Sequence, residues 1–197
     1  IDLEAKKELG RVPASREPIA AAITPDGKSL FVANLLPTDR SDSYDVACAV
    51  TVIDTAAQKA GTIRLLNGSV GLHGICVSPD GKYAYVAHIL ARYQMPTTQL
   101  ERGWMNTNAL SILDVAAKKL VNTVLLDDVD LGAANPWAVA TTADGKQICV
   151  THAGTHEVSV VDAPALMEKL SKIPVEAKPA EPGKPYDYRG NYSSATQ

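Results

Sequence analysis

Charge of one sign, cysteine pairs, long apolar runs and aromatic side chains are all scarce in this 197-residue chain. Lys+Arg 19 against Asp+Glu 22 leaves a net charge of -3, too weak a field to grasp nucleic acid. No apolar run approaches the roughly 20 residues needed to cross a bilayer, so no membrane span is expected. Cys48, Cys76 and Cys149 lie far apart and form no CxxC, CxxCH or zinc-type spacing. Their odd number excludes full internal pairing. Cys76 and Cys149 sit in the apolar runs GICV and ICV and read as buried, inert thiols. Cys48, in a polar segment, is the one thiol to test for reactivity. No GxSxG, Walker loop, HExxH or Rossmann glycine pattern is present, which favours a non-catalytic protein over an enzyme of those classes. The first residue is Ile1 with no basic or apolar leader behind it, so any targeting segment is expected to have been removed or to lie elsewhere.

What remains is 46% hydrophobic and 21% charged, with 13 Gly, 12 Pro and a single Phe. That composition fits a globular chain rich in tight turns and packed through small and aliphatic side chains. The packing unit is visible as a repeat. PIAAAITPDGKSLFVAN (Pro18 to Asn34), LHGICVSPDGKYAYVAH (Leu72 to His88) and PWAVATTADGKQICVTH (Pro136 to His152) superimpose without gaps. A second shared unit follows each: VTVIDTAAQK from Val50, LSILDVAAKK from Leu110 and VSVVD from Val158. The opening IDLEAKKELGRVP matches the tail of that second unit, because Asp2 and Lys7 share the spacing of Asp54 and Lys59.

Each repeat reads as four short strands. The first (AAAI, GICV, AVAT) is apolar on both sides of the pleat, as expected of a strand buried on both faces. The Asp-Gly-Lys that follows supplies a hairpin turn in which Gly takes positive φ. The third strand alternates apolar and polar before Asp54, Asp114 or Asp162, which is placed to cap the next turn. TIRLL and NTVLL are the fourth strands of two repeats, and the third repeat has no recognisable counterpart. Small residues crowding every first strand point to blades arranged radially around an axis. The fold class expected is therefore all-β, a partial β-propeller over residues 1–162. A short helix from Pro164 over 163–173 and a Pro-rich extended tail over 174–197 complete the organisation.

These motifs resemble the YVTN-type β-propeller repeat. Its Tyr-Val-x-Asn element stands here as Phe31-Val32-Ala33-Asn34, Tyr85-Val86-Ala87-His88 and Cys149-Val150-Thr151-His152. The two changes from Asn to His put Asn-dependent capping there in question. The resemblance implies a surface-layer-like bacterial protein, periplasmic or exposed at the cell surface, acting as a non-catalytic binding or scaffold module. Some relatives carry c-type cytochrome domains, so the alternative is the propeller portion of a redox protein associated with a cytochrome or peroxidase domain outside this segment. The incomplete blade count leads to the expectation that the chain is a piece of a larger protein, pairing with missing blades, with a protein partner or with itself.

Residues present in only one blade, on the face carrying the long connections, are the better functional candidates. The stretch from Ile89 to Asn108 reads as a 20-residue loop holding Arg92, Tyr93, Met95, Arg102, Trp104 and Asn106. With Trp137 beside it, this set has the residue types of a partner-binding hot spot, or of a loop folded onto the blade top. If Ser78 pairs with Lys82 across the turn, His73 falls opposite Ala87 and within one position of His88. Paired imidazoles with Met95 could hold copper or zinc, or could simply satisfy strand ends. The loop Leu35–Asp45 is acidic but lacks the glycine and terminal glutamate of a calcium loop, and reads as solvated. No cofactor other than a metal ion at the histidines is implied within the segment.

Overall fold

A computed structural model describes residues 3–43, 45–91, 105–128 and 132–172. Among the described residues, eleven strands form three antiparallel sheets in chain order. The first blade holds β1 (Pro18–Ile23), β2 (Ser29–Asn34), β3 (Ala49–Asp54) and β4 (Lys59–Arg64). The second holds β5 (Ser69–Val77), β6 (Tyr83–Ala91), β7 (Asn106–Asp114) and β8 (Lys119–Leu125). The third holds β9 (Pro136–Thr141), β10 (Gln147–His152) and β11 (Glu157–Asp162), and α1 (Ala163–Ser171) follows. Strands pair in sequence order within every sheet, the up-and-down pattern of propeller blades. The first strands β1, β5 and β9 lie side by side. The architecture is thus the all-β partial propeller that the repeats foretell.

The hairpin turns follow from one local device repeated three times. Thr24, Ser78 or Thr142 donates its hydroxyl to the carboxylate of Asp26, Asp80 or Asp144 at 2.6–2.7 Å. The same carboxylate accepts the backbone N–H of Lys28, Lys82 or Lys146. These bonds, the hydroxyl first, hold each aspartate below its ordinary pKa. Gly81 at the corner has φ +70, a region that costs an L-residue about 1–2 kcal/mol. Gly81→Ala is therefore expected to lower stability by about 1–2 kcal/mol, read as a lower urea midpoint at unchanged m-value.

The second turn also has its expected cap. Asp54 and Asp114 accept the N–H of Ala57 and Ala117 at 2.7 Å, ahead of Gln58 and Lys118, both at φ +52. Lys6 (φ +49) stands at the same distance from Asp2, so the chain's opening repeats the backbone of these turns. In the third blade the same aspartate caps a helix instead. Asp162 accepts from Ala165 N at 2.8 Å with Pro164 in the first turn, and α1 turns Ala163, Leu166, Met167 and Leu170 onto the core.

The core is two layers between three blades. One face of the first blade, with Phe31, Ala33, Val50, Val52 and Ile63, packs on Leu72, Ile75, Ala84, Val86 and Leu113 of the second. The opposite face of the second, with Tyr85, Ala87, Leu110 and Ile112, packs on Val139, Ile148, Val150 and α1. We call the first face of each pair leading and the second trailing.

Three expectations are corrected. Strands β1 and β9 are not buried on both faces: Ile19, Ala21 and Ile23, like Ala138 and Ala140, reach solvent, because the described residues place a neighbouring blade on one side of each. The Ile89–Asn108 stretch is not all loop, since β6 and β7 extend into it and Leu90 and Ala91 pair with Thr107 and Asn106. The β5–β6 register also differs by one residue, with Gly74 rather than His73 opposite Ala87. The turn closes on Ser78 N–H to Tyr83 O and not on Lys82, and a bulge between Val70 and Gly74 then carries His73 off the ladder.

Candidate functional site

Of the residues singled out for partner binding or metal, Arg92, Tyr93, Met95, Arg102 and Trp104 lie outside the described residues. Asn106 opens β7 as an exposed residue at the loop-rich end. His73, His88 and Trp137 occupy well-defined positions, and they separate into two different arrangements.

His88 is fully buried. Its Nε2 meets the Ser111 hydroxyl at 2.7 Å and its Nδ1 meets the Ile89 carbonyl at 3.0 Å. A carbonyl can only accept, so Nδ1 carries the proton and Nε2 accepts from Ser111. Ser111 in turn meets Thr123 at 2.7 Å. Burial pushes the imidazole pKa down to about 4, with the Ile89 carbonyl opposing. The ring is neutral and both nitrogens are engaged, so it has no lone pair to offer a metal.

The same arrangement recurs in the other blades. His152 meets Ser159 at 2.8 Å, and Asn34 donates through Nδ2 to Thr51 Oγ1 at 3.0 Å and to the Ala49 carbonyl at 2.6 Å. Thr51, Ser111 and Ser159 hold one repeat position. The histidines therefore take over the bond of the asparagine, each fastening the end of the second strand to the third. The sequence carries this signal in the V-T-V, L-S-I and V-S-V triplets, whose central hydroxyls recur opposite Asn, His and His.

His73 turns the other way. Its ring stacks on Trp137 with centroids 4.0 Å apart and planes 16° from parallel, joining the first strands of the second and third blades. Its pKa is lowered by burial, and its Nδ1 is buried without a hydrogen-bond partner among the described residues. Although neighbours on paired strands, His73 and His88 do not converge: one ring leans over β7, the other over β9. Among the described residues no group of three or more His, Cys, Asp or Glu stands close enough to hold a metal ion.

The acidic loop is internally compensated. Asp39 accepts from Ala47 N and, with Asp45, binds Arg64, while Arg40 engages Asp42. The thiol singled out for reactivity is corrected: Cys48 is fully buried, donates to the Leu35 carbonyl at 3.4 Å, and burial pushes its pKa up to about 12. A thiol so rarely ionised is a poor nucleophile. Burial of part of the side chain also raises Cys76 to about 12, but Cys76 and Cys149, both expected to be buried, are each partly exposed.

Sheet order, blade packing and strand-end clamps define a β-propeller segment. No protein-family model matches the chain. It is 30% identical over 145 residues to hydrazine synthase subunit beta of Kuenenia stuttgartiensis, a match covering 74% of this chain and 36% of that protein. The solved Kuenenia stuttgartiensis hydrazine synthase superposes with TM-score 0.69 at 27% identity, over 80% of this chain and 43% of that one. The periplasmic gluconolactonase of Pseudomonas aeruginosa superposes with TM-score 0.55 at 19% identity, over 80% and 43% of the two chains, and shows the fold alone. The chain spans well under half the length of each of these relatives.

Proposed function

We propose that this chain is a binding and scaffold propeller module of an extracytoplasmic, multi-subunit redox enzyme related to hydrazine synthase. The observation that carries the reading is the similarity to a protein named as a subunit of that enzyme, together with its match to the solved enzyme. The described residues add support. Their two buried histidines, His88 and His152, each hold a hydroxyl in the middle of the neighbouring third strand, which is scaffold work. Redox chemistry would then come from a cytochrome or peroxidase domain outside this segment, with haem as the group the redox reading implies, since no CxxCH occurs in these 197 residues.

The partner is recognised on the loop-rich face, where Arg92, Tyr93, Arg102, Trp104 and Asn106 cluster in sequence and Trp137 is exposed. The test is isolation of the protein from its native source, with mass-spectrometric identification of what accompanies it and an absorption spectrum of the complex. A co-purifying polypeptide with a c-type haem spectrum is expected; a preparation free of haem protein would overturn the reading. In the same assembly Trp104→Ala should cost about 2 kcal/mol or more in partner affinity, as an aromatic hot spot does, at an unchanged melting temperature. A variant that unfolds while keeping its partner would make Trp104 a structural residue.

A further inference from the structure

The two blade junctions are built alike but are not filled alike. Where the second blade meets the third, β8 contributes Val121 and α1 contributes Leu166, Met167 and Leu170 to the packed layer. Where the first blade meets the second, the outer strand β4 offers only Ala60 and Gly61 before Ile63 closes the core. A Cβ at Gly61 would meet nothing within 4 Å. The small side chains leave a cleft of about 340 Å³ on the leading face of the first blade, between β4 and the β7–β8 turn. It opens among the short turns and away from the loop-rich face: Thr55, next to its Asp54, bonds the Gly27 carbonyl of the first hairpin turn.

The walls of the cleft are of two kinds. Val52 and Ile63, both buried in the core, form its floor. Its mouth carries Lys59, Lys118 and Asp54, and Asp54 is already engaged by the Ala57 N–H. On the neighbouring hairpin turns Lys28, Lys82 and Lys146 each lie against their own aspartate. Lys59 and Lys118 have no such carboxylate among the described residues. β4 adds peptide donors. The Leu65 N–H bonds the Cys48 carbonyl, and the register runs on without a shift through Val50–Ile63 and Val52–Gly61. Bonding alternates along an antiparallel ladder, so Ala60 and Thr62 turn their N–H groups outward at the edge of the cleft.

We propose that this cleft binds a small amphiphilic anion, a monocarboxylate on a short apolar chain. The chain lies on Val52 and Ile63 in the space beside Gly61, and the carboxylate meets Lys59 and Lys118 at the mouth. Two ammonium groups and the Asp54 carboxylate leave one positive charge there, which a single carboxylate balances. The volume stands at the lower end of the roughly 300–1,000 Å³ usual for ligand pockets, and an apolar wall with a few polar groups at one end is their usual lining. An inorganic anion would leave the apolar floor uncovered.

Titration of the isotope-labelled chain with hexanoate, followed by NMR at the Gly61 and Thr62 amides, tests this against the uncharged hexanamide. Saturable shifts with hexanoate are expected, and binding of hexanamide about tenfold weaker. A chain carrying both Lys59→Gln and Lys118→Gln should lose the same factor toward hexanoate. Gly61→Leu fills the cleft and should abolish the shift at Thr62 without lowering the urea midpoint. Shifts at Gly61 and Thr62 that do not saturate with hexanoate overturn the proposal, and so does equal binding of hexanamide. A Gly61→Leu chain that binds hexanoate as the parent does would place the ligand elsewhere and overturn it as well.

Discussion

Gly74→Val is expected to destabilise the chain more than any other substitution of a single glycine in its strands. A Cβ at residue 74 would stand 2.6 Å from the Trp137 carbonyl oxygen, 2.8 Å from Ala138 Cα and 3.0 Å from Val139 N. All three are backbone atoms of β9, so no rotamer change relieves the contact and the second and third blades must separate. Overpacking of this kind costs about 1–3 kcal/mol when side chains can yield, and a rigid neighbour places the cost at about 3 kcal/mol or above. The internal control is Gly61→Ala in β4, where the new Cβ meets nothing within 4 Å. With no clash, the smaller entropy of the unfolded chain should leave that variant neutral or more stable by about 0.4–1 kcal/mol. Urea unfolding of both reads the contrast directly. Equal losses at the two sites would mean that glycine is needed in these strands for its backbone and not for the approach of the blades.

This crowding of first strands was legible at Ala20, Ala22 and Gly74, because the repeat aligned their small side chains, whereas Ala21, Ala138 and Ala140 in the same runs turn their side chains to solvent. The turns were legible for a different reason: Thr/Ser, Asp, Gly and Lys act on one another within five residues, and local chemistry is written locally. The histidines were not legible in the same way. Whether His73 and His88 meet depends on a one-residue register, set by whether the turn closes on Lys82 or Tyr83, and on a bulge. Slipping the register by one residue reverses the side of every following side chain. The ring of His88 was drawn by Ser111, 23 positions away. A repeated Ser/Thr in the middle of an apolar third strand looks like ordinary alternation unless its partner one strand away is read with it. Cys48 misled for a related reason. Its neighbours in sequence are polar, but its neighbours in space include the chain at Leu35 and Ser69, which cover it.

Acid should loosen the middle blade well above the range in which its carboxylates titrate. His88 has a folded pKa of about 4 against 6.5 for an ordinary imidazole. Above pH 6.5 both folded and unfolded chains hold the ring neutral, and its contribution to stability is complete. As pH falls from 6.5 to 4 the unfolded chain takes up a proton that the folded chain refuses, so stability declines throughout that window. Below 4 both states are protonated and nothing further is lost. At 1.36 kcal/mol per pKa unit the decline amounts to about 3 kcal/mol. His73, also lowered by burial, adds in the same direction. The turn aspartates, lowered from 3.8, lose their contribution only at more acid pH. The first blade supplies the matching variant, since Asn34 already holds Thr51 where His88 holds Ser111. His88→Asn can donate through its amide to Ser111 and has no titrating group. Its stability should fall far less steeply from pH 6.5 to 4.5 than the parent's, keeping only the smaller decline that His73 contributes. His88→Ala should be weaker at every pH, because it leaves the Ile89 carbonyl and the Ser111 hydroxyl without their partner. Chemical unfolding of the three proteins at half-unit intervals of pH measures this. An asparagine variant that keeps the parent's slope would place the titrating group elsewhere, and His88 would then be a packing residue only.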